Sequence, residues 1–377
     1  MSQSKAFHMG NTPEYAPYHD VGRDYVPLQR SSKWNPLHWP KWTWLAAFLL
    51  LAAVAVGLGV GITEGTKNKK YPSYTTLNYT IADNYTGTSF FNNFDYFTGY
   101  DPSSGFVHYV PAETADSTQY NLTYASSSSA VLRVDTTDTD ASTGRYSVRI
   151  TSKKQYTTGL FVFDILHSPY GCSTWPAIWL TDPSNWPTNG EIDVVEAVNQ
   201  ATTGNQMTLH TTSDCSMKNV ARRETGSVLT TNCLNSTDDN AGCGVRGPVA
   251  TYGSALNANG GGVYAMELRD AGIRIWFFGR SNIPSDLVYG ADSTPDPSGW
   301  GEALADFPST NCDIATHFRN QSIIANIDLC GTWAGSTSVY STQDACPGTC
   351  ESFVTSNNTA FETAYWEWAS WRVYGAS

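Results

Sequence analysis

Three carboxylates stand close together in Trp186-Pro-Thr-Asn-Gly-Glu191-Ile-Asp193-Val-Val-Glu196. They are interleaved with β-branched residues, the pattern of a strand whose acidic face points into a cleft. Glu191 and Asp193 share that face by the strand period of two. A regular strand would send Glu196 to the opposite side, and one extra residue between Asp193 and Glu196, a β-bulge, would bring it back. The outer pair would then lie about 13 Å apart at Cα. Inward-leaning side chains would place the carboxyls near the ~5–5.5 Å that suits retaining cleavage of a glycosidic bond. In that chemistry Glu191 attacks the anomeric carbon as nucleophile. Glu196, its pKa raised by the neighbouring carboxylates, protonates the departing oxygen and then activates water. Asp193, between them, assists by holding Glu191 in its rotamer. An acidic strand edge that defends against aggregation would carry similar spacing, so the surroundings must decide.

Those surroundings are aromatic. Trp175, Trp179 and Trp186 precede the acids, and His210 follows in Thr208-Leu-His-Thr211. Sugar rings present apolar C–H faces that stack on indoles, which makes these four residues candidate substrate contacts. Core packing and a structural histidine are the plain alternatives. No Gly-x-Ser-x-Gly elbow, His-Glu-x-x-His pair or phosphate-cradling Gly-Lys-Ser/Thr loop occurs, which removes the commonest hydrolase and nucleotide-binding signatures. A net charge of −12, from 34 acidic against 22 basic residues, leaves no broad basic face, so nucleic acid is not an expected partner.

The elements that must position these residues read as strands. Ser147–Thr151, Gly159–Asp164, Gly262–Leu268, Gly272–Phe278 and Ala364–Tyr374 are rich in β-branched and aromatic residues and bounded by turn formers. Helical periodicity is nearly absent in the C-terminal 300 or so residues. Many short strands over that length predict an all-β, antiparallel sandwich of the jelly-roll type with long loops. Charged residues are only 15% of the chain and aromatics 13%, so the bulk of it folds.

Ahead of the strands, Trp42 to Thr63 carries no charge and is long enough to cross a bilayer as a single helix. Forty-one residues precede it, which fits an uncleaved signal anchor better than a signal peptide. The expected organisation is a disordered cytosolic tail (1–41), a transmembrane anchor (42–63), a juxtamembrane linker (64–77) and a folded domain (78–377). Asn-x-Ser/Thr acceptors at Asn78, Asn84, Asn121, Asn235, Asn320 and Asn357 all follow the span, as do all eight cysteines. Both point to a single-pass type II protein whose domain lies on the lumenal or extracellular side. The cysteines are expected in disulfides whose pairing the sequence leaves open. Zinc fits less well, because Cys346 and Cys350 form the only close pair and no second pair or His-x3-His lies nearby.

With these motifs in view, the chain resembles glycoside hydrolase family 16, in particular the fungal endo-1,3(4)-β-glucanases of the laminarinase type. The similarity runs from about Asn78 to the C-terminus. It includes Phe90-Phe-Asn-Asn-Phe94, Asp101-Pro-Ser-Ser-Gly-Phe-Val107, Trp175-Pro-Ala-Ile-Trp-Leu180, Gly190-Glu-Ile-Asp-Val-Val-Glu-Ala-Val-Asn199, Thr208-Leu-His-Thr211, Cys330-Gly-Thr-Trp-Ala-Gly335 and Cys346-Pro-Gly-Thr-Cys350. The resemblance implies a concanavalin A-like jelly roll with a cleft, and retaining endo-attack on β-glucans with 1,3 or mixed 1,3/1,4 linkages. It also implies Glu191 as nucleophile, Glu196 as acid/base, Asp193 as the assisting acid, and Trp186, His210 and Trp333 near the sugar.

A membrane anchor is absent from the secreted digestive members, which points to work on the cell's own wall and opens transglycosylation as an alternative. Similar membrane-anchored fungal proteins are linked with β-1,6-glucan assembly. A non-catalytic glucan-binding module would keep the aromatics and tolerate loss of the acids, and a membrane-tethered scaffold would need neither. Some similar proteins bind calcium on the convex face, but no Asp-rich loop of oxygen ligands stands out here, so a structural calcium is left open and no cofactor is expected.

Overall fold

The structure, a computed structural model, describes residues 40–51, 70–200, 202–290 and 294–376. Asn68–Ser377 forms one compact unit, and its described residues carry the strands. In chain order these are β1 (Tyr79–Tyr85), β2 (Phe94–Tyr96), β3 (Val107–Tyr109), β4 (Thr123–Ala125), β5 (Ala130–Arg133), β6 (Arg145–Ser147), β7 (Arg149–Tyr156), β8 (Gly159–His167) and β9 (Thr174–Thr181). They continue as β10 (Glu191–Glu196), β11 (Gln206–His210), β12 (Ser227–Val228), β13 (Cys243–Arg246), β14 (Gly262–Arg269), β15 (Gly272–Gly279), β16 (Ala305–Pro308), β17 (Gln321–Leu329) and β18 (Tyr365–Ala376).

Two eight-stranded sheets form a sandwich. The back sheet runs β16-β15-β14-β8-β18-β5-β4, with β1 also on β18. The front sheet runs β12-β13-β11-β10-β9-β17-β7-β2. Strand pairs within both sheets are antiparallel, and a separate two-stranded pair, β3 with β6, is parallel. Alternation along the strands builds the core. Ile178 and Leu180, Ile192 and Val194, and Met207 and Leu209 of the front sheet are buried in the same cluster as Phe161, Phe163 and Ile165 of β8. Each such side chain is worth roughly 1.5–3 kcal/mol of burial. Phe90 and Phe94 close one side of this core against Trp368 and Trp371, with ring centroids 5.6 and 5.4 Å apart. The opposite face of the front sheet is left for polar and aromatic residues.

All eight cysteines are paired, as Cys172–Cys346, Cys215–Cys312, Cys233–Cys243 and Cys330–Cys350. Cys330–Cys350 and Cys172–Cys346 together staple the 330–350 segment to the end of the front sheet near β9.

Residues 41–51 are helical, and among the described residues no helix is long and apolar enough to cross a membrane. The remainder of the expected anchor, 52–63, and the tail to residue 39 lie outside the described residues. Part of the stretch read as linker packs on the domain. Tyr74 lies under the Arg274 guanidinium at 3.9 Å and donates its hydroxyl to Asp306 at 3.4 Å, while Arg269 donates to the Thr75 carbonyl at 3.0 Å. Of the six glycan acceptors, Asn78, Asn84, Asn121, Asn320 and Asn357 are exposed and Asn235 is half-buried.

Candidate active site

The acidic motif is β10, a central strand of the front sheet. Against β11, Asp193 pairs with Thr208 and Glu196 with Gln206, three residues matched by two. Against β9, Asp193 pairs with Trp179, Val195 with Ile178 and Glu196 with Ala177. One residue is therefore extra at Val194–Val195, and Glu191, Asp193 and Glu196 all belong to the face turned away from the core. Asn205, fully buried just ahead of β11, spans the bulge. Its Oδ1 accepts the Glu196 N–H at 2.8 Å and its Nδ2 donates to the Val194 carbonyl at 2.9 Å.

Each carboxylate has its own partner. The Trp186 indole N–H donates to Glu191 Oε2, and the Trp175 indole N–H donates to Glu196 Oε1 at 2.8 Å. Asp193, expected from the sequence to hold Glu191, faces His210 instead, with Nε2 3.1 Å from Oδ2. On its other edge His210 Nδ1 lies 3.1 Å from Asn240 Oδ1. Two oxygen acceptors, one at each ring nitrogen, fit a doubly protonated imidazolium. Gly242, at φ +60°, lets the loop come this close, since a Cβ there would meet His210 Cε1 at 2.7 Å.

The electrostatics follow from burial and crowding. Desolvation first, and the Asp193 charge second, push Glu191 up to about 7 and Glu196 up to about 8. Glu191 is pulled back by His210, the Trp186 hydrogen bond and Arg149, which leaves it the more readily ionised of the two. Burial works against a charge on His210, but Asp193, with Glu191 and Glu196 behind it, raises it to about 9. Ligand atoms of Glu191, Asp193 and His210 lie within 4.8 Å of one another, a spacing that could hold a metal ion. An imidazolium has no lone pair to offer, so in this protonation state His210 serves the cluster as a cation rather than as a metal ligand.

The remaining aromatics divide. Trp186 is 45% exposed and Trp175 and Trp179 are half-buried on the same face. Trp333, in the short helix Gly331–Ala334, meets Trp175 edge-on with centroids 5.7 Å apart. Trp179 is already engaged. Its N–H donates to Asn326 Oδ1 at 2.8 Å, and the Arg149 guanidinium lies 4.8 Å from its ring and 4.7 Å from that of Phe97. Arg149, Asn205, Asn240 and Asn326 are site residues the sequence reading did not single out. They come from β7, a loop end, a second loop and β17. Only Asn205, nine residues after Glu196, carried a local signal.

A β-sandwich with paired glutamates on one sheet face, separated by an Asp–His pair and flanked by indoles, defines a glycoside hydrolase. The chain belongs to the glycoside hydrolase family GH16, matching the XgeA-like catalytic GH16 domain over residues 94–374. A probable glycosidase of Schizosaccharomyces pombe is 45% identical over 308 residues, 81% of this chain and 71% of that one. A probable endo-1,3(4)-β-glucanase of Aspergillus fumigatus is 38% identical over 306 residues, and the match spans 78% of this chain but only 45% of that protein. Among solved structures, laminarinase 16A of Phanerochaete chrysosporium, with 6-O-glucosyl-laminaritriose in both donor and acceptor sites, is 45% identical with a TM-score of 0.75. The match covers 79% of this chain and 100% of that one. An elongating GH16 β-1,3-glucosyltransferase is 38% identical with a TM-score of 0.72, at the same coverages.

Proposed function

We propose that this protein is a retaining endo-β-glucanase that cleaves β-1,3 and mixed 1,3/1,4 glucans by double displacement. The observation that carries the reading is the bulge at Val194–Val195, which turns Glu191, Asp193 and Glu196 to one face. Ionised Glu191 attacks the anomeric carbon while Glu196 gives its proton to the glycosidic oxygen, so the leaving chain departs neutral and a glycosyl ester forms on Glu191. Water, giving a proton to Glu196, then breaks that ester, and one water is consumed per bond cleaved. The two roles call for one carboxylate ionised and one protonated, and the higher pKa of Glu196 suits the acid. Asp193, paired with His210, keeps negative charge beside both glutamates. Trp175 and Trp186 orient the two carboxyls, and their ring faces, with that of Trp333, offer platforms to the sugar.

A second reading, glycosyl transfer to another glucan in place of water, draws on the similarity to the elongating β-1,3-glucosyltransferase. It uses the same first step and differs only in the acceptor. We place the domain on the lumenal or extracellular side behind a type II anchor at 42–63, acting on cell-wall glucan. Support comes from the four disulfides and from glycan acceptors confined to the C-terminal side. Product analysis on laminarin and lichenan with the wild type, Glu191→Gln and Glu196→Gln tests the reading. Short oligosaccharides that vanish with either variant support hydrolysis, products longer than the substrate favour transfer, and unaltered turnover removes both.

A further inference from the structure

A β-bulge takes backbone groups out of the hydrogen-bonding ladder, and such groups are costly when buried without partners. In β10 one side chain answers for two of them. The Asn205 amide accepts from Glu196 N at 2.8 Å with its oxygen and donates to Val194 O at 2.9 Å with its nitrogen. The residue is itself fixed from behind: its N–H donates to Thr251 Oγ1 at 3.0 Å and its carbonyl accepts from Gly247 N at 2.8 Å. It follows Gly204, at φ +85°, where any Cβ would run into the Pro248 carbonyl. Only a short planar group with a donor and an acceptor on neighbouring atoms meets both demands, which asparagine supplies. Aspartate has no donor, and glutamine is a methylene too long.

We propose that Asn205 is a positioning residue for proton donation. By clamping the bulge on both sides it fixes the backbone of Glu196, and with it the direction in which that carboxyl delivers its proton to the leaving oxygen. The inference rests on Glu196 being the acid/base, as proposed above. Asn205 touches no substrate, and Glu191 lies on the regular part of β10, outside the clamp. Loss of Asn205 therefore impairs protonation of the leaving group and leaves nucleophilic attack intact.

The test compares the full chain carrying Asn205→Ala, the isosteric Asn205→Asp, or Glu196→Gln with wild type on two substrates. Laminarin needs its leaving group protonated, whereas 2,4-dinitrophenyl β-laminaribioside releases an anion that departs without help. For Asn205→Ala and Asn205→Asp, turnover of laminarin falls about 10- to 100-fold at little-changed KM. First-turnover release of dinitrophenolate stays within about threefold of wild type, and Glu196→Gln gives the same selectivity more strongly. An equal loss on both substrates in the Asn205 variants, with Glu196→Gln still selective, overturns the positioning role in favour of a purely structural one. Unaltered laminarin turnover in both Asn205 variants overturns it as well. If Glu196→Gln itself shows no selectivity, the acid/base reading has failed and this inference falls with it.

Discussion

The indole N–H of Trp175 donates to Glu196 Oε1 at 2.8 Å, from a residue of β9 to one of β10 across the sheet. A donor at that distance favours the carboxylate over the carboxylic acid, so it holds Glu196 down against the burial that lifts it. Trp175→Phe keeps the ring and removes the donor. The expected outcome is a kcat about tenfold lower, the worth of one charge-assisted hydrogen bond, and an alkaline limb of the pH–rate profile moved to higher pH. Kinetics on laminarin across pH check both.

The pH–rate profile itself is set by two coupled glutamates. Activity requires Glu191 ionised and Glu196 protonated, so kcat/KM falls on the acid side as Glu191 gains its proton, near about 7. On the alkaline side it falls as Glu196 loses its proton, near about 8. Both limbs belong to the pair and lie above the ordinary glutamate range.

Stability follows the same groups with a definite sign. Glu191, Glu196 and His210 all bind their protons more tightly folded than unfolded. The glutamates contribute stability that is complete below about 4.5 and is lost as pH rises through about 7 and 8. For His210 the loss runs from 6.5 to about 9. Glu196→Gln removes one buried charge that the fold opposes, and raises the melting temperature at pH 8 by about 2–4 °C while abolishing laminarin turnover. Thermal unfolding between pH 4 and 9 measures the slope and its flattening in the variant.

His210→Ala strips Asp193 of its cation. Both side chains are almost fully buried, so the uncompensated carboxylate costs about 3 kcal/mol of stability. The imidazolium that fixes Asp193 between Glu191 and Glu196 is gone, and kcat falls about 100-fold. Chemical denaturation and kinetics on one preparation separate the two effects.

The Cys330–Cys350 disulfide holds the segment that carries Trp333. Replacing both cysteines by serine removes about 3 kcal/mol, as for any loop of that size. It also loosens the edge-on contact with Trp175. The expected kinetic effect is a raised KM for glucan with kcat held within about threefold, read from saturation curves.

The chemistry of the site was legible where it is local in sequence. The spacing Glu-x-Asp-x-x-Glu demands an extra residue if all three acids are to share a face, and the register breaks between Asp193 and Glu196. Many short β-branched and aromatic runs between turn formers likewise foretell the sandwich. What the sequence does not carry is sheet order. Trp179 reads as a free platform because nothing local tells that β17 brings Asn326 to its N–H and β7 brings Arg149 over its ring. Asp193 reads as a partner of Glu191 because both lie on one strand, whereas the cation that claims it enters from β11. Tyr74 reads as linker because the arginine that receives its ring lies about 200 residues away.

The most direct test is covalent trapping. Incubation with a 2-deoxy-2-fluoro β-laminaribiosyl fluoride, followed by proteolysis and mass spectrometry, should leave one fluoroglycosyl group esterified to the peptide containing Glu191, on Glu191 itself. A label on Glu196, or inverted product with no adduct at all, would contradict the account.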